Sequence, residues 1–343
     1  MVNTSTVCGA LVLVAFVISG CGDMERDAPV RRIAGTKTDA LLYTPQTFPR
    51  LFAALVGKGL NGRRLAGELL DGHYVIGVSL DGVALPDGRT KAATLQATTF
   101  RMDAGEGDSG SARSRKRLIG AVFTATLEDG STLPLRIDDV VQRDGPFEHD
   151  LFRYAISYPA DGVWQPYCGV DDRGAPILAI PLSGLWDYRE GVPTGGAHID
   201  DERSFTFGCE GYALAKCVDM GYKPWSEGRL CDEEARGRDC VPYALADHHQ
   251  ACTRMLRADY CGDGTSYTDD STLINAYDGV GIRLDTEAWL IEAEWNADGA
   301  ICVRRERLDP PLGPSCWEQL LDDTCGDPEH FDQGTLLVSE DPS

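Results

Sequence analysis

Hydrophobic positions along the chain change their spacing several times, and each spacing predicts a different element. Val7 to Ile18 is apolar apart from small Cys8 and Gly9. That run is shorter than the about 20 residues a membrane-spanning helix needs, and it fits the apolar core of a secretory leader over residues 1–20. No Lys or Arg precedes it. Residues 21–38 turn polar and read as a tether. Large apolar residues then recur every fifth position at Leu60, Leu65, Leu70, Val75, Leu80, Leu85, Leu95 and Phe100. Glycines follow two residues behind at Gly62, Gly67, Gly72, Gly77 and Gly82. Residues 103–117 are a polar Gly/Ser/charge loop. From Leu118 to Val141 the period becomes two: Phe123, Ala125 and Leu127 alternate, Asp129-Gly130 signals a turn, and Leu133, Leu135 and Ile137 alternate again, which predicts a hairpin.

Residues 151–158 predict a strand. Residues 176–186 predict a buried one, with Pro176 and Pro181 restricting it to an edge or to bulges. Helical spacing follows twice. Leu214, Cys217 and Val218 share a face over Glu210–Met220, with Gly221 as a stop. Leu245, His248, His249, Cys252, Met255 and Leu256 recur over about Pro242–Ala258. Strands are expected at 280–284 and 300–306, and the last dozen residues read as a loose tail. The expected fold class is α+β: a β-rich N-terminal part, as short strands or a degenerate β-coil, followed by a disulfide-rich domain with two helices. The divisions are 1–20 leader, 21–38 tether, 39–160 β-rich repeat region, 161–330 disulfide-rich domain and 331–343 tail.

Composition adds a compartment and excludes a partner. The net charge is −22, which speaks against nucleic acid, bound by neutralising phosphates with Lys and Arg, and against electrostatic adhesion to anionic lipid heads. Apart from Cys8 and Cys21, ten cysteines lie from residue 168 onward: Cys168, Cys209, Cys217, Cys231, Cys240, Cys252, Cys261, Cys302, Cys316 and Cys325. An even number without any C-x-x-C spacing reads as five disulfides in an oxidising compartment rather than as zinc sites. Cys231 and Cys240 bracket a short polar loop and are expected to pair; Cys217 and Cys252 are placed to join the two helices. The other connectivities stay open.

Three resemblances follow from these residues. Ile18-Ser19-Gly20-Cys21 resembles the lipobox of bacterial lipoproteins, which implies cleavage before Cys21, lipidation of its sulfur and anchoring to a membrane in the cell envelope. Gly22 rather than Asp follows Cys21, which favours outer-membrane sorting. The five-residue period over 60–100 resembles pentapeptide-repeat proteins, which wind a square β-helix. Yet Arg63, Glu68 and His73 stand where that family has small inward residues, so a degenerate coil and short strands with glycine turns remain alternatives. Lastly, Ala258-Asp259-Tyr260-Cys261, with WQPYCG at 164–169, LSGLWDYREGVP at 182–193, FTFGCEGYALAKCVDMGYKPW at 205–225 and HQACTRMLRADYCGDG at 249–264, resembles the ADYC-domain family of bacterial, largely myxobacterial, exported proteins. That likeness spans about 118–285. It implies an exported protein and carries over no catalytic residue.

Candidate chemistry is sparse. Gly107-Asp108-Ser109-Gly110 matches a serine-protease motif but has no accompanying histidine context. Asp259, Asp263, Asp269 and Asp270, with the carbonyl of Thr265, offer oxygen ligands for calcium on a turn-rich loop. Alternatively, Asp259 pairs with Arg254 or Arg257 and Asp263-Gly264 is a turn. Trp164, Tyr167, Trp186, Tyr188, Tyr222 and Trp225 are read as core rather than as a stacking groove. The function expected from these features is a non-enzymatic, membrane-anchored binding or display module of the envelope with an unidentified ligand. The alternative is a hydrolase of an envelope or extracellular polymer working through carboxylates of the 259–270 loop.

Overall fold

A computed structural model of the chain describes residues 54–55, 59–60, 72–102, 117–143, 148, 150–231 and 240–342. The leader, Cys21, the tether and the Gly107–Gly110 motif lie outside these residues.

The alternating segments close into a six-stranded antiparallel barrel. Its strands are β1 (Val75–Ser79), β2 (Val122–Leu127), β3 (Thr132–Gln142), β4 (Phe152–Ala160), β5 (Ala179–Ser183) and β6 (Ser204–Cys209). Each pairs with the next in sequence, and β6 returns to β1 through Phe205 opposite Val78. The hairpin expected from Asp129-Gly130 is β2–β3. Its inward residues Phe123, Ala125, Leu127, Leu133, Leu135 and Ile137 are all buried. The Asp129 carboxylate accepts the Ser131 N–H and fixes the turn. Pro181 is tolerated because β5 meets β4 only at Ala179 opposite Tyr154, so beyond that point no ladder bond is required of it.

Within the described part of the five-residue period, the β-coil reading is corrected. Residues 72–102 form short antiparallel strands, the first of them joined by turns at Gly82 and Gly88, and Ala93–Gln96 and Thr99–Met102 form a hairpin closed by Ala97-Thr98. Gly72 and Gly82 have φ of +82° and +73°, open to glycine without strain. The period still marks inward positions: Val75, Leu80 and Phe100 are buried, and Leu85 and Leu95 pack against the same core. Phe100 plugs the barrel. Its ring centroid lies 4.8 Å from Phe123, 4.9 Å from Phe205 and 5.3 Å from Tyr154. Burying such a ring stabilises by about 1.5–3 kcal/mol.

Two helices separate the barrel from a second sheet. Helix α1 (Ala213–Asp219) turns Leu214, Ala215 and Val218 towards Ile180, Leu182 and Trp186 at the barrel's flank. Its other side, Ala213 and Cys217, meets α2 (Leu245–Arg257). The expected Cys217–Cys252 bridge joins them. Beyond α2 lies an antiparallel sheet of β7 (Leu273–Asp278), β8 (Leu290–Asn296), β9 (Gly299–Val303) and β10 (Leu337–Asp341), in the order β7-β10-β8-β9, with Ala54–Leu55 on the far edge of β7. Ala251, Cys252, Met255 and Leu256 pack on Ile274, Ala276, Ala293 and Trp295.

Three further expectations change. The barrel spans residues 75–209, so 160/161 is not a boundary of the fold. The strand expected at 280–284 is a turn, and the strand lies just before it at β7. The loose tail expected after 330 is in part the buried strand β10, between β7 and β8. Its polar Ser339, Glu340 and Asp341 gave the segment the look of an exposed end. The other disulfides are Cys168–Cys209, Cys261–Cys316 and Cys302–Cys325. Register sets Cys231 opposite Cys240, but their expected bridge concerns side chains outside the description. No helix among the described residues is long and apolar enough to cross a membrane.

Candidate functional site

The 258–264 segment begins where α2 must stop. Ala258 caps the helix in the left-handed conformation, φ 50° and ψ 42°, a position glycine usually takes. Its methyl is fully buried in the core between α2 and the second sheet, contact a glycine would lack. The turn aims the next three side chains in separate directions.

Asp259 points inward and is fully buried. Its carboxylate pairs with Arg254 one turn back and accepts the N–H groups of Asp263 at 3.1 Å and Gly264 at 3.0 Å. Burial pushes this carboxyl up, against the pull of Arg254. Arg254 also donates to the carbonyls of Gly195 at 2.5 Å and Ala297 at 3.3 Å, so one ion pair ties α2 to two distant loops. The loops meet backbone to backbone: a Cβ on Gly195 would sit 2.0 Å from the Asp263 carbonyl oxygen. Arg257 completes the joint by donating to the Gly264 carbonyl at 2.7 Å and to Glu190 at 3.2 Å.

Tyr260 lies against Trp295, with ring centroids 5.4 Å apart. Its hydroxyl donates to Glu292 at 2.7 Å and accepts the Arg307 N–H at 3.0 Å. Burial, and then Glu292, push the phenol well above its ordinary value. Glu292 and Arg307 are a fully buried two-pronged pair at 2.9 and 3.1 Å. The same guanidinium donates to the carbonyls of Met255 at 2.8 Å and Leu256 at 3.3 Å in the last turn of α2, where Met255 also accepts the Ala258 N–H. Cys261 is bridged to Cys316.

Residues 115–309, which hold this knot, match the family model described as the ADYC domain. The chain belongs to the ADYC domain family. No curated protein and no solved structure matches it. The matched span takes in most of the barrel, both helices and the strands β7, β8 and β9 of the second sheet, and the Ala-Asp-Tyr-Cys tetrad lies at the junction of these parts.

The calcium ligands expected on the loop of the ADYC domain are not brought together. Asp259 is occupied by Arg254, and Asp263 turns back to its own loop, accepting the Thr265 N–H at 2.9 Å. Asp269 and Asp270 are exposed. Among the described residues, the group of three that meets metal-ligand spacing is Glu294, Cys302 and Cys325, whose sulfurs are bonded to each other.

Of the six aromatic residues read as core, three are buried, Tyr188 and Trp225 are half-buried, and Trp164 is not in the core. Tyr167, Trp186 and Tyr222 are buried, Trp225 donates to Asp150 at 2.9 Å, and Trp164 is exposed beneath Arg136. Both histidines of the His248-His249 pair are buried. His249 donates from Nε2 to the Leu214 carbonyl at 2.9 Å, and burial lowers its pKa to about 4.

A second polar cluster lies on the far face of the second sheet, where the sequence offered no signal. Glu294 of β8 is almost fully buried. It accepts His330 Nδ1 at 2.8 Å, Thr335 Oγ1 at 2.5 Å and the Gly326 N–H. Beside it is an open cleft of about 380 Å³, lined by Ile291, Arg304, Asp323, Thr324, Cys325, Gly326, Asp327 and Pro328. Glu294 alternates with apolar neighbours along β8, a pattern that ordinarily places a charge in solvent.

Proposed function

We propose that the chain is a lipid-anchored extracytoplasmic protein, held to a membrane of the cell envelope through Cys21, whose ADYC domain binds or displays rather than catalyses. The observation that carries this reading is the use of the tetrad. Ala258 turns the chain, Asp259 neutralises a buried arginine, Tyr260 bonds to a buried ion pair and Cys261 closes a disulfide. A family signature used wholly in joining elements specifies a shape. A reacting centre instead needs groups with reach to a substrate. The four disulfides among the described residues support an oxidising compartment, and Ile18-Ser19-Gly20-Cys21 supports the anchor.

The test has two arms. Cells expressing the chain are fed labelled palmitate: the label and membrane partition should both vanish in Cys21→Ala. The Asp259→Asn variant is then compared with the parent in thermal unfolding. Removing one partner of a buried ion pair costs about 3–5 kcal/mol, so its Tm should fall by several degrees. An Asp259→Asn protein as stable as the parent would remove the structural reading of the tetrad, and unlabelled parent protein would remove the anchor.

A further inference from the structure

The segment from Asp322 to Thr335 lies over the exposed face of the second sheet and forms one wall of the cleft. A short 3-10 helix (Pro328–Gln333) carries His330 down to the sheet, capped by Asp327, whose carboxylate accepts the Glu329 N–H. Phe331 of the same helix packs against Tyr277 of β7, with ring centroids 6.3 Å apart. Cys325 fastens the segment to Cys302 of β9. At the same end the Asp322 N–H donates to the Val303 carbonyl at 3.2 Å and Arg304 donates to the Asp323 carbonyl, while the rest of the segment is held in polar contact through Glu294. Gly326 binds that carboxylate from one end of the segment, Thr335 from the other and His330 from the middle.

We propose that Glu294 and His330 form a pH-operated clasp that fixes the 322–335 segment to the second sheet, firm in mild acid and slacker in mild alkali, so that the wall of the cleft is released as the imidazole loses its proton. A carboxylate buried this deeply requires a compensating charge, and His330, partly open to solvent, is positioned to supply it. The charged and titratable groups around the imidazole are Glu294 on β8 and Asp327 and Asp322 on the segment itself; Tyr277 on β7 faces Glu294, and Arg304 on the cleft wall lies near Asp322. The hydrogen bond to Glu294, then that residue's charge and those of Asp327 and Asp322, hold the imidazole above its ordinary value.

The sign follows from that direction. The folded value is raised, so the clasp's contribution is complete below about 6.5, the unfolded value, and is lost as pH climbs through the folded one. The neutral ring can still donate from Nδ1. What disappears is the charge assistance, which makes such a bond roughly twice as strong as a neutral one. Cys302–Cys325, with the bonds of Asp322 to Val303 and of Arg304 to Asp323, holds one end of the segment, so the wall opens on a hinge there and stays attached.

The experiment is hydrogen exchange on the full chain with disulfides intact, between pH 5.5 and 8.5, corrected for the intrinsic pH dependence of amide exchange. Protection of 326–335 should fall about fivefold relative to that of Leu273–Asp278, the order expected when a charged hydrogen bond becomes a neutral one. In His330→Asn, whose amide keeps a donor near the Nδ1 position but does not titrate, the ratio should stay flat. Constant relative protection in the parent, or the same fall in the variant, would overturn the clasp. Should His330→Asn fail to fold, the imidazole is titrated by NMR in the parent. A midpoint matching the protection change supports the proposal, and a midpoint outside the range of that change refutes it.

Discussion

Two histidines of this chain respond to acid with opposite sign, and their surroundings explain why. His330 meets a carboxylate and holds its proton more tightly than a free imidazole. His249 sits between α1 and Trp186, donates to a carbonyl and meets no anion, so burial drives it towards the neutral form with a pKa of about 4. An imidazole kept neutral in the fold but free to protonate when unfolded withdraws stability as pH falls from 6.5 to about 4, by up to about 3 kcal/mol at the lower limit. His249→Gln, which keeps a donor to Leu214, should unfold in urea with a shallower loss of stability over that interval than the parent. Identical pH profiles would show that His249 does not titrate on unfolding in this way. Residue by residue, the sequence was readable where one type has one main use. Cysteines at helical spacing became the Cys217–Cys252 bridge, and Asp259 took the arginine weighed for it. Glu292, Arg307 and Glu294 were not readable, because a charged residue is ordinarily exposed and nothing local shows that a partner many residues away will follow it inside.

At the scale of elements, α2 is the piece on which most others depend. Its buried face supports the second sheet, a disulfide ties it to α1, and its C-terminus is closed by Arg307 from beyond β9. Arg307→Met should therefore fail twice, by leaving Glu292 buried without its cation and by exposing helix carbonyls. The expected loss in urea-unfolding free energy is about 3–5 kcal/mol. Adding Glu292→Gln should recover part of it, and no recovery would mean that the carbonyl contacts dominate. The elements themselves were legible to different degrees. The β2–β3 hairpin has strict alternation around Asp129-Gly130, and its register follows from the turn. The five-residue period located inward residues correctly without giving the architecture. A spacing of five combined with glycine turns is equally compatible with a coil or with short strands, and non-local pairing of β1 with β6 decides it. β10 went unseen because its ends pair with strands on both sides and bury polar groups within a network, which removes the contrast on which pattern reading relies.

Across the whole molecule, the barrel and the second sheet differ in how they are assembled from sequence. Barrel neighbours follow one another along the chain, apart from the closing contact. The second sheet receives one of its inner strands last, after β9 and the 304–336 stretch. Deleting residues 335–343 should consequently leave β7 and β8 with facing open edges and unfold the sheet and α2 together. Circular dichroism should show loss of helix as well as strand, with the aromatic signal of the Phe100 cluster retained if the barrel persists. Full retention of helix would mean that α1 and the barrel alone hold α2 in place.

The same arrangement bears on timing. A chain emerging N-terminus first can complete its barrel once residue 209 is clear, whereas the second sheet stays unfinished until residues 337–341 arrive. Until then, β7 and β8 expose strand edges, the kind of surface that invites pairing with another chain. That interval defines when an assisting factor is most needed and which half of the molecule it would have to shield.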